Sequence, residues 1–128
     1  MKNLPNLSKA EYDILRTLWK SGRKSVREVH DHVQATTGWA YTTTKTMMDR
    51  MVKKGLLVRQ EFHGIFLYKP LISRPAGLAK MVQFFADRVL ETDASTVVSM
   101  FAGGTLSDEE IKELQELLAP DEREEGDK

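Results

Sequence analysis

Apolar side chains recur at helical spacing along the first half of the chain, in three separate runs. Ala10, Ile14, Leu15, Leu18 and Trp19 keep one face after Ser8, and Gly22 is placed to stop that helix. Val26, Val29 and Val33 mark a shorter helix after Ser25, running out near Thr36-Thr37-Gly38. The third predicted helix covers residues 42–54 and ends at Gly55, positioned as a left-handed cap. Ser8-x-x-Glu11, Ser25-x-x-Glu28 and Ser107-x-x-Glu110 all have the form of a capping box, in which hydroxyl and carboxylate satisfy orphan backbone amides reciprocally.

The pattern then changes. Residues 57–61 and 65–69 are β-prone and flank Phe62-His63-Gly64, which predicts a hairpin with a short glycine-containing loop. Pro70 and Pro75 bracket a linker. Leu78, Met81, Val82, Phe85 and Val89 next share a helical face, followed by Val97, Val98 and Phe101 before Gly103-Gly104. Ile111, Leu114, Leu117 and Leu118 stripe a last helix that Pro120 ends. The expected protein is mainly α with a small β-hairpin. A winged helix-turn-helix domain spans 1–74, a helical dimerisation segment 75–120, and an acidic, disordered tail 121–128.

The third helix divides into two faces at 100° per residue. With Thr42 at zero, Thr44, Met47, Met48 and Met51 fall between about 140° and 240°, a compact arc suited to a core. The opposite arc holds Thr42, Thr43, Lys45, Thr46, Asp49, Arg50 and Lys53. A helix that reads a DNA groove needs this division, since threonine methyls meet thymine methyls while lysine and arginine reach guanine edges or phosphates. Arg59 and Lys69 on the hairpin, with His63 at its tip, are placed to touch adjacent backbone. Lys2, Lys9, Arg23 and Lys24 are further candidates for phosphate contacts.

Charge sharpens this reading. Lys+Arg and Asp+Glu both number 19, so the formal net charge is zero. Yet residues 1–80 hold 15 basic and 6 acidic side chains, whereas 81–128 hold 4 and 13. A half with a net of +9 can hold a polyanion and a half with −9 cannot, so the two parts should do different work. The absence of cysteine excludes disulfides, thiol catalysis and thiolate metal sites. His30 and His32 lie about 200° apart on their helix and cannot share a metal. Ser, His and Asp are present without a framing nucleophile motif, and Gly103-Gly104 is too little for a phosphate loop. The expectation is therefore no enzyme, no metal, no cofactor and no small-molecule substrate. Without an apolar leader or a run approaching the roughly 20 residues of a membrane helix, a soluble, cytoplasmic protein is expected.

Leu7-x-x-x-Glu11-x-x-Ile14-x-x-x-Leu18-Trp19, Val26-Arg27-Glu28-Val29, Trp39-Ala40-Tyr41-Thr42-Thr43 and Lys53-Lys54-Gly55-Leu56 together resemble the penicillinase-repressor family. That family includes the methicillin-resistance and copper-operon repressors. The resemblance implies a homodimeric winged-helix repressor on a double-stranded DNA operator with dyad symmetry. It also implies dimerisation through the C-terminal helices and inactivation through a membrane sensor-protease. By position, Thr42, Thr43, Lys45 and Thr46 fall on the family's DNA-reading segment, Arg50 on its following turn, and Met100-Phe101 on the bond cut in penicillinase-type members. Met100 replaces the usual asparagine, and Leu90-Glu91-Thr92-Asp93 replaces an aromatic-Gly-Gly turn. The copper-type mode, which needs cysteines, is excluded.

Two alternatives follow from the residues themselves. Leu78, Met81, Val82, Phe85, Val89, Val97, Val98, Phe101, Ile111, Leu114 and Leu118 form more apolar surface than some forty residues readily bury, so a homodimer should cover it; the alternative is packing back onto the winged helix. Likewise the winged helix is either a DNA reader or a protein–protein interaction module. Convergence of Lys45, Arg50, Arg59 and Lys69 with the threonines on one surface favours DNA; scatter favours the module.

Overall fold

The computed structural model describes residues 4–101, 103–104 and 106–119. Among the described residues two compact units emerge, one of Leu7–Ser73 and one of residues 74–119 together with residues 4–6. Leu4 packs on the second unit's core, so residues 4–6, expected in the winged-helix domain, group with the second unit. The tail expected to be disordered, and Pro120, lie outside the described residues.

The first unit runs α1 (Lys9–Ser21), α2 (Val26–Thr37), α3 (Tyr41–Lys53), β1 (Leu57–Phe62) and β2 (Ile65–Pro70). Both expected capping boxes form. Ser8 Oγ accepts from the Glu11 amide at 3.1 Å while Glu11 Oε1 accepts from the Ser8 amide at 2.9 Å, and Ser25 and Glu28 repeat the arrangement. Such caps each stabilise a helix by about 1 kcal/mol. The end of α3 is a Schellman motif. Gly55, at φ 79°, gives its amide to the Val52 carbonyl and the Leu56 amide reaches Met51. Only a residue free of the Cβ penalty holds that φ without cost.

The strands pair antiparallel from Leu57↔Pro70 to Phe62↔Ile65. The loop is His63-Gly64, two residues where three were expected; both have positive φ (50° and 84°), as a type I′ turn requires. A bridge between Lys24 and Tyr68 adds a one-residue third strand. Ile14, Leu15, Leu18, Val26, Val29, Val33, Met48, Met51, Leu57 and Tyr68 fill the core between helices and hairpin. Trp19 closes it by donating its indole N–H to the Ile72 carbonyl at 3.0 Å. This is the three-helix-and-wing architecture expected.

The second unit contains α4 (Arg74–Phe84), a π-helical turn (Phe85–Val89), α5 (Ala94–Ser99) and α6 (Asp108–Leu118). Pro75 sits in the first turn of α4, where its missing N–H costs nothing, so it begins a helix instead of closing the linker. Asp93 caps α5, with Oδ1 accepting from the Thr96 amide at 2.9 Å, and Ser107 caps α6 through the third capping box. Arg74 grips Glu110 with two nitrogens, at 2.9 and 2.6 Å.

The apolar face of α4 divides differently from expectation. Its buried edge is Ala79, Val82 and Ala86, small enough to let the neighbouring helices approach, with Leu78 partly covered. Met81, Phe85 and Val89 are exposed, as are Phe84 and Leu90. Among the other residues expected at a dimer interface, Val97, Val98, Ile111 and Leu114 are buried inside their own unit, with Phe101 and Leu118 packed against them. The segment thus builds a core by itself and still leaves a row of large side chains in water.

Candidate nucleic-acid interface

Helix α3 is fixed from behind. Thr44, Met48 and Met51 are fully buried and Met47 partly so, which is the inward arc its sequence phase predicts. Thr44 Oγ1 lies 3.1 Å from His30 Nδ1 on α2, satisfying two polar groups inside the core. His30 is thus a packing residue. Its ring stands edge-on to Tyr41, over which Arg27 places its guanidinium at 4.5 Å. These contacts set α3 against α2.

The outward arc follows from the same phase. Thr42, Thr43, Lys45, Thr46, Arg50 and Lys53 are all exposed. Thr42, Thr43, Thr46, Met47 and Arg50 line a shallow depression of about 300 Å³. The helix starts after Ala40 with no side-chain cap. The Thr43 amide turns back to the Ala40 carbonyl at 3.0 Å, which leaves the Tyr41 and Thr42 amides at the helix start without a helical acceptor. A free helix N-terminus of this kind attracts anions.

A second groove, about 450 Å³, separates α3 from the wing and is lined by Arg27, Tyr41, Lys45, Arg59, Phe66 and Tyr68 among others. Strand register explains the set. Arg59 faces Tyr68 and Glu61 faces Phe66, so Arg59, Phe66 and Tyr68 share one face of the hairpin. Lys69 pairs with Val58 one step along and therefore belongs to the opposite face. Lys45, Arg50 and Arg59 converge with the threonines on one side of the unit, and Lys69 does not join them. Lys9 and Arg23 are exposed, Arg23 lying 5.1 Å over the Phe62 ring, and Lys24 is held in its bridge to Tyr68. Lys2 lies outside the described residues.

Asp49 organises the centre of this face. Lys45 Nζ donates to Oδ2 at 2.9 Å, the Tyr68 hydroxyl donates to Oδ1 at 3.1 Å, and Arg59 comes to 3.9 Å of Oδ1. Partial burial alone would raise the Asp49 pKa. The hydrogen bonds from Lys45 and Tyr68 and the charges of Lys45 and Arg59 outweigh it and hold the group below its ordinary value. Burial pushes the Tyr68 phenol up, and its bond to Asp49 adds to that. Sequence phase placed Asp49 on the outward arc without a role. The Lys45–Asp49 spacing of one turn was the available signal. Tyr68 and Phe66 carried none, because their facing depends on strand register.

Among the described residues, no three His, Cys, Asp or Glu side chains are grouped to hold a metal ion. No helix among them is long and apolar enough to cross a membrane.

Residues 7–120 match the penicillinase repressor family. The chain belongs to that family. The penicillinase repressor of Bacillus licheniformis is 31% identical to it over 119 residues, 92% of this chain and 93% of that protein. The methicillin resistance regulatory protein MecI of Staphylococcus aureus is 26% identical over 113 residues, 88% and 92% of the respective chains. Among solved structures, monomeric BlaI of B. licheniformis in complex with the blaP half-operator is 32% identical, with a TM-score of 0.52 over 59% of this chain and 93% of that one. The DNA-binding domain of the repressor BlaI superposes with a TM-score of 0.50 at 32% identity, over 58% and 90%. Membership in the penicillinase repressor family makes the chain a regulator and not an enzyme.

Proposed function

We propose that this chain is a cytoplasmic transcriptional repressor that binds a dyad-symmetric operator as a homodimer. The observation that carries the reading is the outward arc of α3, with Thr42, Thr43, Lys45, Thr46, Arg50 and Lys53 exposed beside Arg59 of the wing. It stands on a chain 32% identical to a repressor solved on its half-operator. In this reading α3 enters the major groove, the threonines and Lys45 meet base edges, and Arg50, Lys53 and Arg59 meet phosphates.

Dimerisation is assigned to the exposed row Met81, Phe84, Phe85, Val89 and Leu90. A two-fold dimer matches a dyad-symmetric operator, whose half-sites lie about 34 Å apart, one turn of DNA. Relief of repression is assigned to cleavage between Met100 and Phe101 by a membrane sensor-protease. Met100 is 66% exposed in the turn that ends α5, where a protease could take hold of the backbone.

Titration against DNA from the protein's own promoter region tests the reading. Affinity is expected to fall with salt at a log–log slope of about −0.9 per phosphate neutralised. Thr43→Ala and Thr46→Ala should flatten discrimination between operators, while Arg59→Ala should weaken all sequences alike. Salt-independent association, or no preference for any promoter sequence, would refute it.

A further inference from the structure

A surface that binds a polyanion has no general use for a fixed negative charge at its centre, yet Asp49 is one. Its carboxylate cannot swing aside freely. The hydroxyl that holds Oδ1 belongs to Tyr68, a core residue 2% exposed. Moving Asp49 would leave that phenol without its acceptor. Two cations are held in turn: Lys45 on Oδ2 at 2.9 Å, and Arg59 at 3.9 Å from Oδ1 with its guanidinium 4.6 Å over the Phe66 ring. Both are side chains that the proposed function sends to DNA.

A phosphate contact asks only for a free cation, and every sequence offers phosphates. A tethered cation gains less from such a contact, because the bond to Asp49 must be given up and the carboxylate left beside the DNA backbone. Exchange is favourable where the duplex presents a better acceptor at the reach of Lys45, such as the O6 and N7 edge of guanine. The Lys45–Asp49 pair is solvent-exposed and weak, so it tunes binding and does not block it.

We propose that Asp49, positioned by Tyr68, is a specificity-determining residue that restrains Lys45 and so lowers affinity for DNA lacking the operator's acceptors. The proposal rests on the DNA-binding reading above. Asp49 acts through Lys45 and is a positioning residue; its hold on Arg59, a phosphate contact, weighs on all sequences alike.

The test titrates the full chain and its variants against two duplexes over a range of salt. One duplex is recovered from a random-sequence pool by selection with the unmutated protein; the other is its scrambled counterpart. Asp49→Asn is expected to bind the scrambled duplex about tenfold more tightly, with a salt slope steeper by about one. It should gain less on the selected duplex, so that the affinity ratio falls. Tyr68→Phe, which keeps the buried ring, should move the ratio the same way by less. In a Lys45→Met background, Asp49→Asn should lose most of its effect on the ratio. Equal gains on both duplexes, an unmoved ratio, or an undiminished effect without Lys45 would overturn the proposal. Failure of the selection to recover any preferred duplex would be a different result: the repressor reading itself would fall, and this proposal with it.

Discussion

Lys54, at the end of α3, places Nζ 2.5 Å from Oε2 of Glu11, the capping residue of α1 43 positions earlier. The Glu11 side chain is 4% exposed and that of Lys54 57%. One acidic side chain therefore caps α1 with one oxygen and anchors the end of α3 with the other. Lys54→Met leaves the buried carboxylate with only its amide partner and is expected to cost about 2 kcal/mol. Urea denaturation against the unmutated chain checks this, and a loss below the scatter of surface substitutions, about 0.5 kcal/mol, would contradict it.

The same pair predicts how stability responds to acid. Burial would raise the Glu11 pKa, but the Lys54 and Ser8 contacts prevail and lower it from 4.5. Glu110 is lowered by Arg74 first and then by the Ser107 amide. Because both folded values lie below the unfolded one, the unfolded chain takes up protons first as pH falls. Their stabilisation is complete above about pH 4.5 and is lost on descending through the folded values. Urea midpoints should hold steady in this respect from pH 7 to about pH 5 and drop below that. Glu11→Gln and Glu110→Gln should each flatten the drop.

The two edges of the C-terminal apolar surface predict opposite outcomes on substitution. Val98 is fully buried within its own unit, so Val98→Ala is expected to destabilise by about 2 kcal/mol. Phe84 is 62% exposed, so Phe84→Ser should leave the monomer's fold intact within about 0.5 kcal/mol. It should nevertheless shift sedimentation from dimer to monomer at micromolar concentration. An unmutated chain that sediments as a monomer would dispose of the dimer.

Truncation to residues 1–100 isolates the cleavage idea. It removes α6, and with it Ile111, Leu114 and the Glu110 partner of Arg74. The Leu7–Ser73 unit keeps its own core and should stay folded, retaining half-site binding. Operator affinity is expected to fall by 10²–10⁴, the range that linking two binding modules adds. A truncated form that dimerises and binds as tightly would make cleavage at Met100 irrelevant to the switch.

Much of this architecture is legible in the residues because its signals are local. Three Ser-x-x-Glu boxes mark three helix starts, and a glycine follows each of the first three helices. The inward and outward arcs of α3 follow from phase alone. What escaped sequence reasoning depends on partners distant in the chain. Tyr68 meets Asp49 across 19 positions, and only strand pairing decides that Arg59 shares its face while Lys69 does not. Along α4 and the π-helical turn, Val82 is buried and Leu78 partly covered as expected, but Ala79 and Ala86 take the places expected of Met81, Phe85 and Val89, because a small residue permits an approach that phenylalanine prevents.

The bridge between Lys24 and Tyr68 reaches beyond its two hydrogen bonds, at 3.1 and 2.8 Å. It pins the middle of the wing to the start of α2, while the Tyr68 side chain pins the same residue to α3. The wing consequently has little freedom left to lose when a ligand arrives, and the ordering penalty of association is met when the chain folds. Amide exchange at Tyr68 should then be nearly as slow in the free protein as in the complex.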